Sequence, residues 1–190
     1  MSTHARAVTF MRKGQKYKFI GLLIFSFLLT LTLILAISPA RSQTKRETTV
    51  PVREILSQIR GTTRVPIFLP SRVPFSPRVY FPTQANANGY TVSFETQPNC
   101  IANACIIGAI SAQRGGQFQS PTGCSVERFK PIQLARRTSG IFIANFGCGA
   151  SAYSFIEWQY QGVLYNVGIK GADEAVLSII ANSAIENGVR

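Results

Sequence analysis

Carboxylates and thiols are the reactive side chains in the long C-terminal part of this chain, and imidazole is the one it lacks. The only histidine, His4, falls among the first residues. Everything after it is therefore without Ser-His-Asp or Cys-His arrangements, histidine-bearing zinc sites and the commonest general base at neutral pH. The only aspartate, Asp173, stands before an apolar-periodic stretch, where a role as helix cap or first-turn acid is sufficient. Paired-aspartate and EF-hand calcium chemistry go with it. Glutamates remain, notably Glu95 and Glu157. Two carboxylates across a sheet can flank a glycosidic bond, but both occupy alternate positions of amphipathic segments, and alternation reads more simply as solvent-facing strand positions.

The four cysteines, Cys100, Cys105, Cys124 and Cys148, are even in number and predict two structural disulfides. Cys100–Cys105 with Cys124–Cys148 is the favoured pairing, because the first pair brackets a short turn. Neither C-x-x-C nor the two close pairs of a zinc site occurs. Ser42-Gln43-Thr44-Lys45 matches S-x-x-K but lacks the companion motifs of that enzyme class, and Gly147-Cys148-Gly149 is too short for a phosphate loop. No catalytic residue, cofactor or metal is expected.

The compartment is set by the N-terminus. Residues 20–37 are eighteen consecutive uncharged, mostly apolar residues, preceded by Arg6, Arg12, Lys13, Lys16 and Lys18 with no acidic residue. A basic leader stays cytoplasmic while the C-terminal part is translocated. Residues 1–40 are thus a signal peptide, with small residues suited to a cut after Ala40 or Ser42, or a single-span anchor; eighteen residues reach the lower limit for a span. Met11 offers an alternative start. Expected localisation is export across the cytoplasmic membrane, periplasmic or extracellular, either free or anchored.

Residues 41–50 read as a linker and 51–190 as one exported domain. From residue 41 onward 15 Lys+Arg face 8 Asp+Glu, a net charge of +7. That balance normally suggests nucleic acid, which the compartment argues against; an anionic envelope polymer, lipid or a protein partner fits better, with solubility as the simpler explanation. Arg128, Arg136 and Arg137 are the basic candidates for such a surface. Tyr153 and Phe155 are the aromatic ones, as an exposed platform for sugar rings or a partner, or as residues buried under a loop or helix.

The expected fold class is α+β: an antiparallel sheet built from hairpins, with a short N-terminal helix and a C-terminal helix, preceded by one membrane-inserting helix. Val52, Ile55, Leu56 and Ile59 keep helical spacing over 52–59. Prolines at 66, 70, 74, 77 and 82 then permit only short edge strands. Strands are expected over 90–96 and 105–112, over 130–136 and 141–146 about a turn at 138–140, and over 154–160 and 163–169 about Gln161-Gly162. In the last hairpin Ile156, Trp158 and Tyr160 share a core face. A helix over 173–187 presents Ala175, Leu177, Ile179, Ile180 and Ala184, and Gly188 ends it.

Residues 65–71, 156–165 and 174–185, the last containing Ile180-Ala181-Asn182-Ser183, resemble a bacterial extracytoplasmic domain family of unknown function. That family occurs beyond membrane helices in anti-sigma-factor-like and sporulation-associated proteins and in stand-alone exported proteins. The resemblance implies an α+β fold whose W-x-x-x-G-x-x-Y hairpin runs into a C-terminal helix, and it transfers no catalytic residues. The functional expectation is a non-enzymatic binding or structural module of the cell envelope. A membrane-anchored sensor or assembly factor is one alternative, and a glutamate-dependent glycan hydrolase is another.

Overall fold

The computed structural model describes residues 47–75, 78–120, 128–146 and 152–190; the apolar run at 20–37, Cys124 and Cys148 lie outside them. Among the described residues no helix is long and apolar enough to cross a membrane. In chain order the elements are β1 (Thr48–Thr49), α1 (Val52–Ile59), β2 (Arg72–Val73), β3 (Thr83–Asn86), β4 (Gly89–Glu95), β5 (Ile106–Arg114), β6 (Arg128–Gln133), β7 (Ser139–Phe146), β8 (Tyr153–Tyr160), β9 (Val163–Lys170) and α2 (Glu174–Asn187). The fold is α+β: β1 and β2 pair by themselves, and β3 to β9 form one antiparallel sheet in the order β3-β4-β5-β9-β8-β7-β6.

The helices form where the apolar spacing asks for them. Ile55, Leu56 and Ile59 of α1 are buried. The Asp173 carboxylate caps α2 by accepting from Val176 N at 2.8 Å, worth about 1 kcal/mol, and Gly188 comes next at φ 74°. The buried face of α2 is Leu177, Ile180, Ala181, Ala184 and Ile185. The expected face is corrected at Ala175 and Ile179, which are exposed; this helix is apolar most of the way round, so its sequence does not single out one stripe.

Both helices pack with Tyr90, Val92, Phe94, Ile110, Ile156, Trp158, Tyr165 and Val167 in one core against one face of the sheet, the inner face. The proline-spaced segment joins that core without becoming a strand. Ile67, Phe68 and Leu69 are buried, and two core tyrosines hold their backbone: Tyr90 Oη donates to Phe68 O at 2.8 Å and accepts from Phe68 N at 3.0 Å, while Tyr165 Oη donates to Pro66 O at 2.8 Å. Burial pushes the ionisation of both phenols well above the ordinary tyrosine range.

Three local expectations are corrected. The β6–β7 turn lies at Ala135–Arg137, so Ser139 and Gly140 open a strand instead of closing a loop. Tyr160, at the turn end of its hairpin, is 38% exposed while Ile156 and Trp158 are fully buried. The end of the expected linker belongs to the fold, since β1 pairs with β2 and Val50 is buried. The Gln161-Gly162 turn stands as expected, with φ of 50° and 71°, the left-handed pair that a two-residue hairpin demands.

β5 is the third strand of the sheet, next to the central β9, and β6, the next strand in sequence, lies at the far edge beyond β9, β8 and β7. Neighbouring strands are about 4.8 Å apart, so the chain between them has some four strand spacings to cover. Its described beginning, residues 115–120, turns over the outer face. Gly115 N donates to Gly162 O at 2.9 Å, Gln159 Nε2 to Gly116 O at 3.2 Å, and Gln119 N to Glu157 Oε2 at 2.9 Å. This crossing strap gives the outer face of an otherwise two-layer protein a roof.

Candidate functional site: a roofed polar row on the outer face

Strand register sets four polar side chains in one line across the outer face: Thr91 of β4 opposite Ser111 of β5, Ser111 opposite Asn166 of β9, and Asn166 opposite Glu157 of β8. Directly opposed residues have Cβ atoms about 5 Å apart, so the four polar side chains stand as neighbours in a row. Asn166 Nδ2 donates to Glu157 Oε1 at 2.9 Å, and the strap amide of Gln119 takes Oε2. Glu157 is 0% exposed. Neither ion pair found among the described residues involves it. A buried carboxylate held by two dipolar donors and no cation is costly to keep.

Glu157 as a solvent-facing strand residue is therefore corrected, and so is Glu95, at 6% exposure. The causes differ. Glu157 is roofed by the strap. Glu95 sits beyond a bulge in the β4–β5 ladder, its carboxylate accepting from Cys100 N at 3.3 Å where the Cys100–Cys105 disulfide closes the loop before β5. Alternation marks which face a residue occupies and carries no information about what later crosses that face.

Beside the row lies a cleft of ≈ 420 Å³ lined by Ser111, Gln113, Gln117, Gln119, Asn166, Glu157, Tyr153 and Phe155 among others. Tyr153 and Phe155 are both half-buried, with near-parallel rings 5.9 Å apart at 10°. Phe146 sets its edge against Phe155 at 5.6 Å. Phe155 lies over Gly168 of β9, where a Cβ would stand 2.4 Å from its Cε1, so a glycine is what gives the ring its place. Lys170 Nζ sits 5.6 Å over the Tyr153 ring and donates to Asn103 O. Burial also raises the Tyr153 phenol's pKa.

Two of the arginines named as surface candidates with these aromatics, Arg136 and Arg137, lie elsewhere. Arg136 and Arg137 belong to the β6–β7 turn, both with left-handed backbones at φ 53° and 58°, and Arg136 Nη2 donates to Glu186 O at the end of α2 at 2.7 Å. Arg128 opens β6, its side chain outside the described part. Neither Arg136 nor Arg137 lines the cleft. Of the thiols, the Cys100–Cys105 bridge is present and the second pair lies outside the described residues. No cluster of three metal-ligating side chains occurs among the described residues.

The row itself is not visible in the sequence alone. A polar residue at the outward position of four successive outer-face strands, Thr91, Ser111, Asn166 and Glu157, was the available signal, and it needed the strand order to become a line. Compared with known protein families, curated proteins and solved structures, the chain matches none, so the resemblance drawn from residues 65–71, 156–165 and 174–185 rests on those residues alone.

Proposed function

We propose that this protein is a non-catalytic binding module of the cell envelope, exported by its apolar leader, that holds a segment of neutral saccharide in the outer-face cleft. The observation that carries the reading is the juxtaposition of the Tyr153 and Phe155 rings with the Ser111–Asn166–Glu157 row in one cleft. Pyranose rings present an apolar face and a rim of hydroxyls; aromatic surface matches the first, and amide and hydroxyl groups match the second. Among the described residues the lining holds no arginine or lysine, and the Lys170 ammonium over the Tyr153 ring is taken by Asn103 O, which favours a neutral ligand over the anionic polymer that the overall charge suggests.

Two features support binding over hydrolysis. Glycoside cleavage ordinarily needs two carboxyl groups flanking the bond; Glu95 is not among the cleft residues, and both Glu157 oxygens accept hydrogen bonds from the protein itself. A carboxylate so held is suited to orienting Asn166 and the strap towards a ligand.

The test is calorimetric titration of the full-length chain in mild detergent with soluble tetra-N-acetylchitotetraose and with a polyanionic control, heparin. Binding of the neutral glycan with Kd on the order of 0.1–1 mM, lost in Tyr153→Ala, is expected. Salt-sensitive binding of heparin alone would place the ligand on the basic surface and end the cleft reading.

A further inference from the structure

A second pocket lies on the opposite, inner face, where the β6–β7 turn meets the end of α2. It measures ≈ 180 Å³ and its lining includes Phe68, Arg136, Thr138, Trp158, Tyr160 and Ile185. At about 30 Å³ per liquid water, it has room for about six non-hydrogen atoms. Its polar side chains are an indole, a guanidinium and two hydroxyls: two pure donors and two groups able to donate, with no carboxylate or amide among them.

One of those donors is unspent. Trp158 is 0% exposed, stacked on Tyr165 at 5.3 Å and 15°, and its Nε1 is the one buried side-chain nitrogen or oxygen without a hydrogen-bond partner among the described residues. Buried polar groups are nearly always satisfied, and an orphaned N–H asks for an acceptor. Arg136 spends one N–H on Glu186 O, neutralising the carbonyl end of α2 that would otherwise repel an anion. Its Nη1 remains close by, 3.5 Å from where a Cβ on Gly188 would stand. Guanidinium and indole donors around Phe68, Tyr160 and Ile185 specify an acceptor with negative charge and an apolar body.

We propose that this pocket is a second binding site, for a small carboxylate with a compact apolar tail, whose oxygens accept from Trp158 Nε1 and the Arg136 guanidinium. The carboxylate belongs to a free short-chain acid or to the C-terminal residue of a peptide; the pocket chemistry is common to both. The site is independent of the outer-face cleft, since Trp158 and Glu157 are adjacent residues of β8 and face opposite ways.

Trp158 is the only tryptophan in the chain, so intrinsic fluorescence of the full-length protein reports on this site directly. At constant ionic strength, isobutyrate, which has six non-hydrogen atoms, is expected to shift the emission with a Kd on the order of 1 mM, and N-acetyl-glycyl-valine is the peptide arm. Isobutyramide, of the same shape without the charge, is expected to bind at least tenfold more weakly, and Arg136→Gln to weaken the acid by a similar factor. A tenfold or greater preference for the peptide over isobutyrate assigns the carboxylate to a chain end, and the reverse assigns it to a free acid. Equal responses to isobutyrate and isobutyramide, or no response to either acid up to about 50 mM, overturn the proposal. The acid-to-amide comparison uses the wild-type chain, so it decides the matter even if Arg136→Gln fails to fold.

Discussion

Replacing Glu157 separates what its charge does from what its shape does. Glutamine keeps the volume and keeps one acceptor for the strap amide of Gln119; its NH₂ group then faces Asn166, whose amide turns over to present Oδ1. Two charge-assisted hydrogen bonds, at 2.9 Å each, become neutral ones. The difference is about 1 kcal/mol per bond, so about 2 kcal/mol is lost. Against this, the fully buried carboxylate no longer has to be desolvated, a relief of comparable size once relaxation is allowed for. Glu157→Gln is therefore expected to leave stability within about 1 kcal/mol of wild type, a Tm change within about 4 °C. Glu157→Ala is different in kind, because the Gln119 N–H and the Asn166 amide both lose their acceptor. At about 1–3 kcal/mol for each stranded donor, the loss is about 4 kcal/mol, or roughly 8–16 °C. Thermal unfolding followed by Trp158 fluorescence measures both variants. A cost below about 1 kcal/mol for Glu157→Ala would mean that water reaches both donors, and the roofed row would be refuted; a loss of about 3 kcal/mol or more for Glu157→Gln would make the carboxylate a structural anchor and remove the argument for its part in binding.

Gly168→Ala puts a methyl group 2.4 Å from Phe155 Cε1; the ring must leave its place between Tyr153 and Phe146, costing about 1–3 kcal/mol and at least tenfold in glycan affinity by calorimetry, and unchanged affinity would count against the aromatic wall. Alkaline pH should unfold the protein: Tyr90 and Tyr165 have pKa values raised by burial, so their contribution is complete below the unfolded value of about 10 and is lost as pH rises above it, where the unfolded chain binds fewer protons. Urea midpoints that stay level from pH 9 to pH 11.5 would contradict this. For export, the intact non-reduced mass of protein recovered from its native envelope or secreted fraction should correspond to a start near Arg41 or Gln43, or retain residues 1–40 as an anchor, in either case about 4 Da below the reduced mass for two disulfides; fully reduced cysteines would remove the compartment argument.

Local signals in the sequence carried over well into the structure. The i, i+3, i+4, i+7 spacing in α1, the Asp173 cap of α2 and the left-handed Gln161-Gly162 turn all depend on residues within one or two turns of each other. The Cys100–Cys105 bridge is of the same kind, closing five residues. What could not be read was set by the path of the chain. Glu157 is buried because residues 115–120, some forty positions earlier, cross over it, and Glu95 because a bulge and the disulfide loop enclose it. Arg136 is exposed as a surface arginine would be, but its carbonyl partner at the end of α2 comes fifty residues later and could not be read locally. The cleft belongs to this second class, since its polar row exists only once β5 lies beside β9.

The pairing of β5 with β9 has a consequence for how the chain comes to be folded. Gly108 meets Ile169 and Arg114 meets Val163, so the seam at the middle of the sheet closes a loop of about fifty to sixty residues, whereas β3–β4–β5 and β6–β7–β8–β9 are each made of neighbours in sequence. Two locally ordered halves can assemble quickly, and their union is the slow, non-local step. In a chain released from its N-terminus, β5 waits as an open hydrogen-bonding edge until β9, the last strand of the described residues, arrives. A partly made molecule thus exposes an edge that the finished sheet pairs on both sides, a template for pairing with another chain. The interval before that seam closes, more than the marginal stability of the finished fold, sets when this protein is most prone to aggregate.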